Sequence, residues 1–283
     1  MTAPLPSPNR WLARPHSTHR DSLPLLCLPN AGGGAAQYFP WARLLPRGVE
    51  LCPIQLPGRE TRLREAPIRQ MGELLDPLAE ALAGHISEPF AIFGHSLGGL
   101  IAFELARTLR RRYGLSPVHV FISSRRAPHL PPQFGPIHRL PDEMFLDELA
   151  RRYNGIPDLI RQDPELLSIY LPILRADVTI FETYAWTDER PLDCPISLFG
   201  GIDDTSVPQR DLAAWRTHST RPGVLKLFPG GHFYHQTARQ QLLAEMSRIL
   251  AAAMEQAGRP ASNVTVSNRP QEPGPDLRLP DIE

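Results

Sequence analysis

The chain has 283 residues, with 30 basic and 30 acidic side chains, zero formal net charge and 42% hydrophobic residues. That length suits one large domain with room for an inserted subdomain, and the charge balance excludes a global field that would draw the chain to nucleic acid or a membrane surface. No apolar run approaches the roughly 20 residues of a membrane span, and Met1 to Asn9 lacks the charge and apolar core of a signal peptide.

In chain order, residues 1–22 read as an N-terminal extension, largely irregular, in which Trp11-Leu12 is either a short edge strand or a surface anchor. Leu23 to Leu28 is an apolar strand that opens into Pro29-Asn30-Ala31-Gly32-Gly33-Gly34, followed by a helical stretch from Ala35 to Leu45. The G-x-G-x-x-G spacing of a dinucleotide site is absent from this loop. Val49 to Gln55 is the next strand, and a helix is expected from about Met71 to His85. Phe90 to Phe93 is a buried strand, and Leu100, Phe103, Leu105 and Leu109 then follow helical spacing to Arg110-Arg111-Arg112. Those three arginines read as a cap that complements the helix dipole, or alternatively as a binding patch.

Val118 to Ile122 is another strand, after which the rhythm changes. From about 125 to 192 there are helical patterns, Pro141 to Tyr153 and Pro164 to Tyr184, and no good strand. An insertion between two strands of a parallel sheet emerges at the edge bearing their loops, so this segment is expected to form a helical lid. The sheet resumes with Pro195 to Phe199 and Val224 to Phe228, with a helix from Gln209 to Thr217 between them. A last helix runs from about Gln236 to Met254, and residues 257–283 are proline-rich and expected to be disordered. Strands alternating with helices over 23–256 imply an α/β fold with a mostly parallel sheet covered on both faces. Cys27, Cys52 and Cys194 stand singly in apolar runs, which suits buried free thiols in a reducing cytoplasm and neither a disulfide framework nor a zinc site.

The chemistry gathers at three strand ends. Gly94-His95-Ser96-Leu97-Gly98, between a strand and a helix, is a G-x-S-x-G nucleophile elbow. A side chain at either glycine would collide with the neighbouring strand or helix, and Ser96 is pushed out at the sheet edge. A serine hydroxyl needs a base, and the base needs an acid to orient it. His232 lies in the tight turn Pro229-Gly230-Gly231-His232-Phe233 after the last strand, with His235 as the fallback. Asp204 follows the preceding strand in Gly201-x-x-Asp204-x-x-Val207, with Asp203 as its competitor. The order Ser96, Asp204, His232 is that of α/β-hydrolases, and loops after successive strands converge at the carboxyl edge of a parallel sheet. The N–H groups of Leu97 and of Ala31, with Gly32 the alternative to Ala31, are the candidate oxyanion donors. There is no H-E-x-x-H and no clustered histidine to hold a metal.

With these motifs, the strand and loop Pro53-Ile54-Gln55-Leu56-Pro57-Gly58-Arg59 and the acid at Asp204, the chain from about Trp11 to Met254 resembles the type II thioesterases. These are discrete α/β-hydrolases that accompany polyketide synthases and nonribosomal peptide synthetases. Leu56 to Glu60 and Gly230 to Phe233 are the more specific pieces. The resemblance implies hydrolysis of acyl thioesters on the phosphopantetheine arm of an acyl- or peptidyl-carrier protein, clearing stalled or misprimed acyl groups. It implies no cofactor beyond the arm the substrate carries, no nucleic-acid or membrane partner, and a monomer. Carrier proteins tend to be acidic, so Arg125, Arg126, Arg139, Arg151 and Arg152 are either docking charges or ordinary solvated arginines. A carboxylesterase, a chain-releasing thioesterase and a catalytically silent carrier-binding protein remain alternatives.

Overall fold

The computed structural model describes residues 9–13, 22–86, 88–153 and 161–256. Most of the 1–22 extension and all of the 257–283 tail lie outside them. Among the described residues, six strands, β1 (Leu23–Leu28), β2 (Val49–Pro53), β3 (Ala91–His95), β4 (His119–Ser123), β5 (Ile196–Gly201) and β6 (Leu225–Phe228), form one sheet in the order β2-β1-β3-β4-β5-β6. Each adjacent pair is parallel.

Successive side chains of a strand face opposite ways, and here both faces are buried. Ile92, Val120, Ile122 and Leu198 pack beneath Leu74, Leu78 and Leu82 of α1 (Met71–Ala83) and Ile101, Leu105 and Leu109 of α2 (Leu97–Tyr113). Their sequence neighbours Phe93, Phe121 and Phe199 pack on the other face with Tyr38, Trp41 and Leu242, Met246 and Leu250 of the last helix. That helix is preceded by a single turn, Tyr234–Thr237, which we number α6; the last helix, Arg239–Gln256, is α7.

Three local expectations are adjusted. The stretch after the glycine-rich loop is three-ten rather than α-helical, Ala35–Arg43, and contains Pro40, whose missing N–H and ring favour a short, tight helix. Trp11 is an inward anchor, 5% exposed under the Arg62 guanidinium, while Leu12 bridges antiparallel to Ile54. The arginines ending α2 act locally, Arg110 on the Pro191 and Arg190 carbonyls and Arg112 on Asp76. Gly114, at φ 69°, closes that helix with its N–H shared between Arg110 and Leu109 carbonyls, a left-handed cap that favours glycine.

Between β4 and β5 lie α3 (Asp142–Tyr153) and α4 (Pro164–Glu182). The Asp163 carboxylate accepts the Glu165 and Leu166 N–H groups and Pro164 takes the first position of α4, the usual chemistry of a helix start. Ile137, Phe145, Leu149, Leu174 and Val178 give this segment a small core of its own. A short helix α5 (Gln209–Ala213) continues as three-ten turns to His218 between β5 and β6.

Several histidines are buried in the neutral form. Burial pushes His119 down to about 4 and His235 down to about 3. The unfolded chain protonates them near pH ~6.5, so their contribution is complete above that pH and is lost as pH falls towards the folded values. Each should cost on the order of 2 kcal/mol of stability by pH ~5. Thermal denaturation from pH 7 to 5 is expected to show a falling melting temperature, with a shallower slope in His119→Gln; a flat profile would count against this reading.

Candidate active site

The strand-to-helix turn holds Ser96 at φ 54° and ψ −115°, a backbone conformation costly for a residue with a Cβ. The flanking glycines let it exist. A Cβ on Gly94 would lie inside the Gly98 backbone, and one on Gly98 would strike the Leu28 carbonyl at the end of β1. The residue before the serine is structural: His95 is fully buried, its Nδ1 2.8 Å from Ser123 Oγ, which in turn lies 2.7 Å from the Tyr234 hydroxyl. These contacts tie β3, β4 and α6 together beneath Ser96.

Two further turns meet at the same edge. A Cβ on Gly201 would strike the Gly230 and Gly231 carbonyls, so the turns after β5 and β6 lie against each other. His232 Nε2 is 3.0 Å from Ser96 Oγ, and His232 Nδ1 is 2.9 Å from Asp204 Oδ2. Asp204 Oδ1 accepts the Ser206 hydroxyl at 2.6 Å and the Ser206 N–H at 3.0 Å. Burial works to raise the Asp204 carboxyl, but hydrogen bonding and charge from His232, with Ser206 behind it, hold it below the ordinary carboxylate value. An ionised Asp204 accepts from Nδ1–H and leaves the Nε2 lone pair facing Ser96, which is the tautomer a base requires.

The competitors are elsewhere. Asp203 is exposed, with its N–H bonded to the Gly230 carbonyl at 3.0 Å. His235 lies on α6, its ring 3.9 Å from that of His95 and its nitrogens buried without partners among the described residues.

The oxyanion loop is narrowed by its neighbours. The Gly32 N–H donates to Asp177 Oδ2 at 2.8 Å, which removes Gly32 as an oxyanion donor. Among the described residues the N–H groups of Ala31 and Leu97 have no acceptor; Leu97 opens α2, where first-turn donors have no intrahelical partner. Asp177, on α4, is 1% exposed and accepts the Arg59 guanidinium through both oxygens, at 2.7 and 2.8 Å. Arg59 also donates to the Gly33 carbonyl at 3.0 Å. The adjacent Glu60 accepts the Ala35 and Ala36 N–H groups, each at 3.1 Å. The Leu56 to Glu60 loop therefore clamps the glycine-rich loop from behind. Arg59 and Glu60 stood in the sequence only as part of the Leu56 to Glu60 motif, without a role, and Asp177 and Ser206 did not stand out there. Asp177 carried a signal, an acidic residue on the apolar face of a helix between Ala176 and Val178.

The thioesterase-domain family model matches residues 23–267. The chain belongs to the thioesterase family. It is similar to the gramicidin S biosynthesis protein GrsT of Aneurinibacillus migulanus, 40% identical over 242 residues that cover 86% of this chain and 94% of that protein. Among solved structures it is similar to ClbQ from the colibactin NRPS/PKS pathway, with TM-score 0.79, 32% identity, and coverage of 83% of this chain and 99% of that one. It is also similar to the type II thioesterase BorB from the borrelidin biosynthetic cluster, with TM-score 0.76, 36% identity, and coverage of 86% and 98%.

In this thioesterase Ser96, Ala31 and His232 border a chamber of about 440 Å³ whose walls come largely from the segment between β4 and β5, including Phe134, Leu149, Leu174 and Phe181. A more open groove of about 880 Å³ adjoins it and shares Ala31, Tyr153, Leu174 and His232. The arginines proposed for docking separate here. Arg125 lines the chamber. Arg126 is engaged by Asp211, Arg151 and Arg152 by Glu148, and Arg139 stays exposed. Cys27, Cys52 and Cys194 are buried, and burial pushes the Cys194 thiol up to about 12.

Proposed function

We propose that this thioesterase hydrolyses acyl thioesters carried on the phosphopantetheine arm of a carrier protein, clearing stalled or misprimed acyl groups during polyketide or nonribosomal peptide assembly. The observation that carries the reading is Ser96 Oγ 3.0 Å from His232 Nε2 at the edge of a chamber, in a chain alike over most of its length to proteins of such pathways. Ser96 Oγ attacks the thioester carbonyl as His232 takes its proton, and Asp204 stabilises the imidazolium. The Leu97 and Ala31 N–H groups hold the oxyanion. The tetrahedral intermediate expels the thiolate sulfur, which receives the proton from His232. Water then attacks the acyl-serine with His232 as base, and the acid leaves while Ser96 regains its proton.

No cofactor takes part in these steps; the phosphopantetheine arrives with the substrate. The segment over about 125–192 serves as the lid of a domain spanning 23–256, holding the acyl group away from bulk water. Exposed Arg139 is available to an acidic partner, and three buried thiols suit a reducing cytoplasm.

The test is single-turnover release of a short acyl group from a phosphopantetheinylated carrier protein, beside the same acyl group on a small thiol. Fast release from the carrier and much slower release from the small thiol is the expected result. Equal rates, or a preference for oxygen esters, would remove the carrier-protein assignment and leave a general serine hydrolase.

A further inference from the structure

Three arginines line the chamber beside Ser96, and two of them are occupied. Arg126 bonds Asp211 at 2.7 Å and the Pro131 carbonyl at 3.1 Å. Arg152 bonds Glu148 at 2.9 Å and the Gly135 carbonyl at 2.9 Å. The third, Arg125, has no carboxylate partner among the described residues, and its Nε is shut from solvent without an acceptor.

Its surroundings do not neutralise it. The guanidinium lies 5.2 Å from the centre of the Phe181 ring, and burial acts to lower its pKa. Glu182, which also lines the chamber, is turned to other work, accepting the Ile137 and His138 N–H groups and the His138 ring. The position is built rather than loose. The Trp215 indole N–H donates to the Arg125 carbonyl at 2.7 Å, and a Cβ on Gly99 would lie 3.3 Å from Arg125 Cβ. The backbone and Cβ of Arg125 are thus held against Gly99 in the first turn of α2, three residues after Ser96. Arg125 is half-buried and its Nε lacks an acceptor, which is costly, and an acceptor brought by a ligand recovers part of that cost.

We infer that Arg125 is a specificity residue that favours acyl groups carrying a second oxygen acceptor, a carbonyl or carboxylate beyond the thioester carbonyl, over saturated acyl groups of the same shape. The inference rests on the reading of Ser96 as the acyl-accepting nucleophile. It does not depend on a carrier protein, because the contact is with the acyl group.

The experiment compares acetoacetyl with 3-methylbutanoyl, which differ by an oxygen in place of a methyl group, each as the carrier-protein thioester and as the N-acetylcysteamine thioester. kcat/KM is measured for the wild type, Arg125→Met and Arg125→Lys. The keto thioester is intrinsically more reactive, so the quantity read is the change in the ratio of the two substrates between enzymes, in which that reactivity cancels. The acetoacetyl to 3-methylbutanoyl ratio should fall about tenfold or more in Arg125→Met, as expected for loss of a hydrogen bond from a charged donor. Arg125→Lys should fall between, since it keeps a charge without the forked donors; it decides the matter if Arg125→Met does not fold. An unchanged ratio, with both substrates slowed equally, would overturn the inference and leave Arg125 a packing residue. A ratio change seen only on the small thiol, with no carrier turnover, would uphold Arg125 and defeat the carrier assignment. No turnover of any thioester would overturn both.

Discussion

Ser96→Ala and His232→Ala are each expected to lower the rate of thioester hydrolysis on the order of 10⁴-fold or more, and the double variant to lose little beyond either single one. The reason is that the two groups act in one step. His232 Nε2 has nothing to deprotonate without the Ser96 hydroxyl 3.0 Å away, and a neutral hydroxyl without the imidazole is a poor nucleophile at pH ~7. The rate left over would come from the Leu97 and Ala31 N–H groups and from binding. Single-turnover assays on the three variants, with a serine-directed fluorophosphonate as a parallel probe, check this. Ser96→Ala within tenfold of the wild type would end the assignment of Ser96 as nucleophile. Labelling of the wild type would exclude a catalytically silent binder.

Asp177→Asn should lower both stability and turnover, although Asp177 is not one of the proposed catalytic groups. It strands the Arg59 guanidinium, 5% exposed, without its carboxylate, and breaking a buried pair from one side costs about 3–5 kcal/mol. For a domain of this size that is a fall of about 10 °C in melting temperature. Turnover should fall as well, because the same carboxylate holds the Gly32 N–H next to Ala31. Loosening that loop misplaces a donor worth about 10² to 10³ in rate, so a loss of roughly tenfold to a hundredfold in kcat with a smaller change in KM is expected. The double variant Arg59→Met with Asp177→Leu separates the effects. An apolar pair can recover stability, whereas the Gly32 N–H still lacks its acceptor, so kcat should stay low. Full recovery of kcat in the double variant would show the pair to be purely structural.

Much of the site could be read from contiguous residues. Gly94, Ser96 and Gly98 are within five positions of one another, and the steric demand of the elbow is met inside that window. His232 stands in its own glycine turn, and Asp204 follows directly on β5. Their meeting followed from one further rule, that loops after parallel strands share an edge. The alternating burial that puts Phe121 on one face and Val120 and Ile122 on the other was likewise visible as an apolar run, because strand geometry depends on near neighbours. The strand ends shifted by one or two residues and the helix at Ala35–Arg43 changed type, since an end depends on which backbone partner is within reach.

Other decisions required the folded chain. Arg59 and Asp177 are separated by 118 positions, and nothing local to either indicates its partner. The sequence preferred Ala31 to Gly32, and the engagement of the Gly32 N–H that supports this preference depends on that same distant carboxylate. Arg125, Arg126 and Arg152 are alike in sequence, and only packing against Asp211, Glu148 and the chamber wall makes two of them paired and one open. By itself the sequence determined the backbone geometry of the elbow and turns and which residues stand as the proposed reacting groups, because short-range sterics and side-chain chemistry act within a few residues. The tertiary structure decided which charges are satisfied and which N–H groups remain free, because burial and pairing depend on segments far apart in the chain.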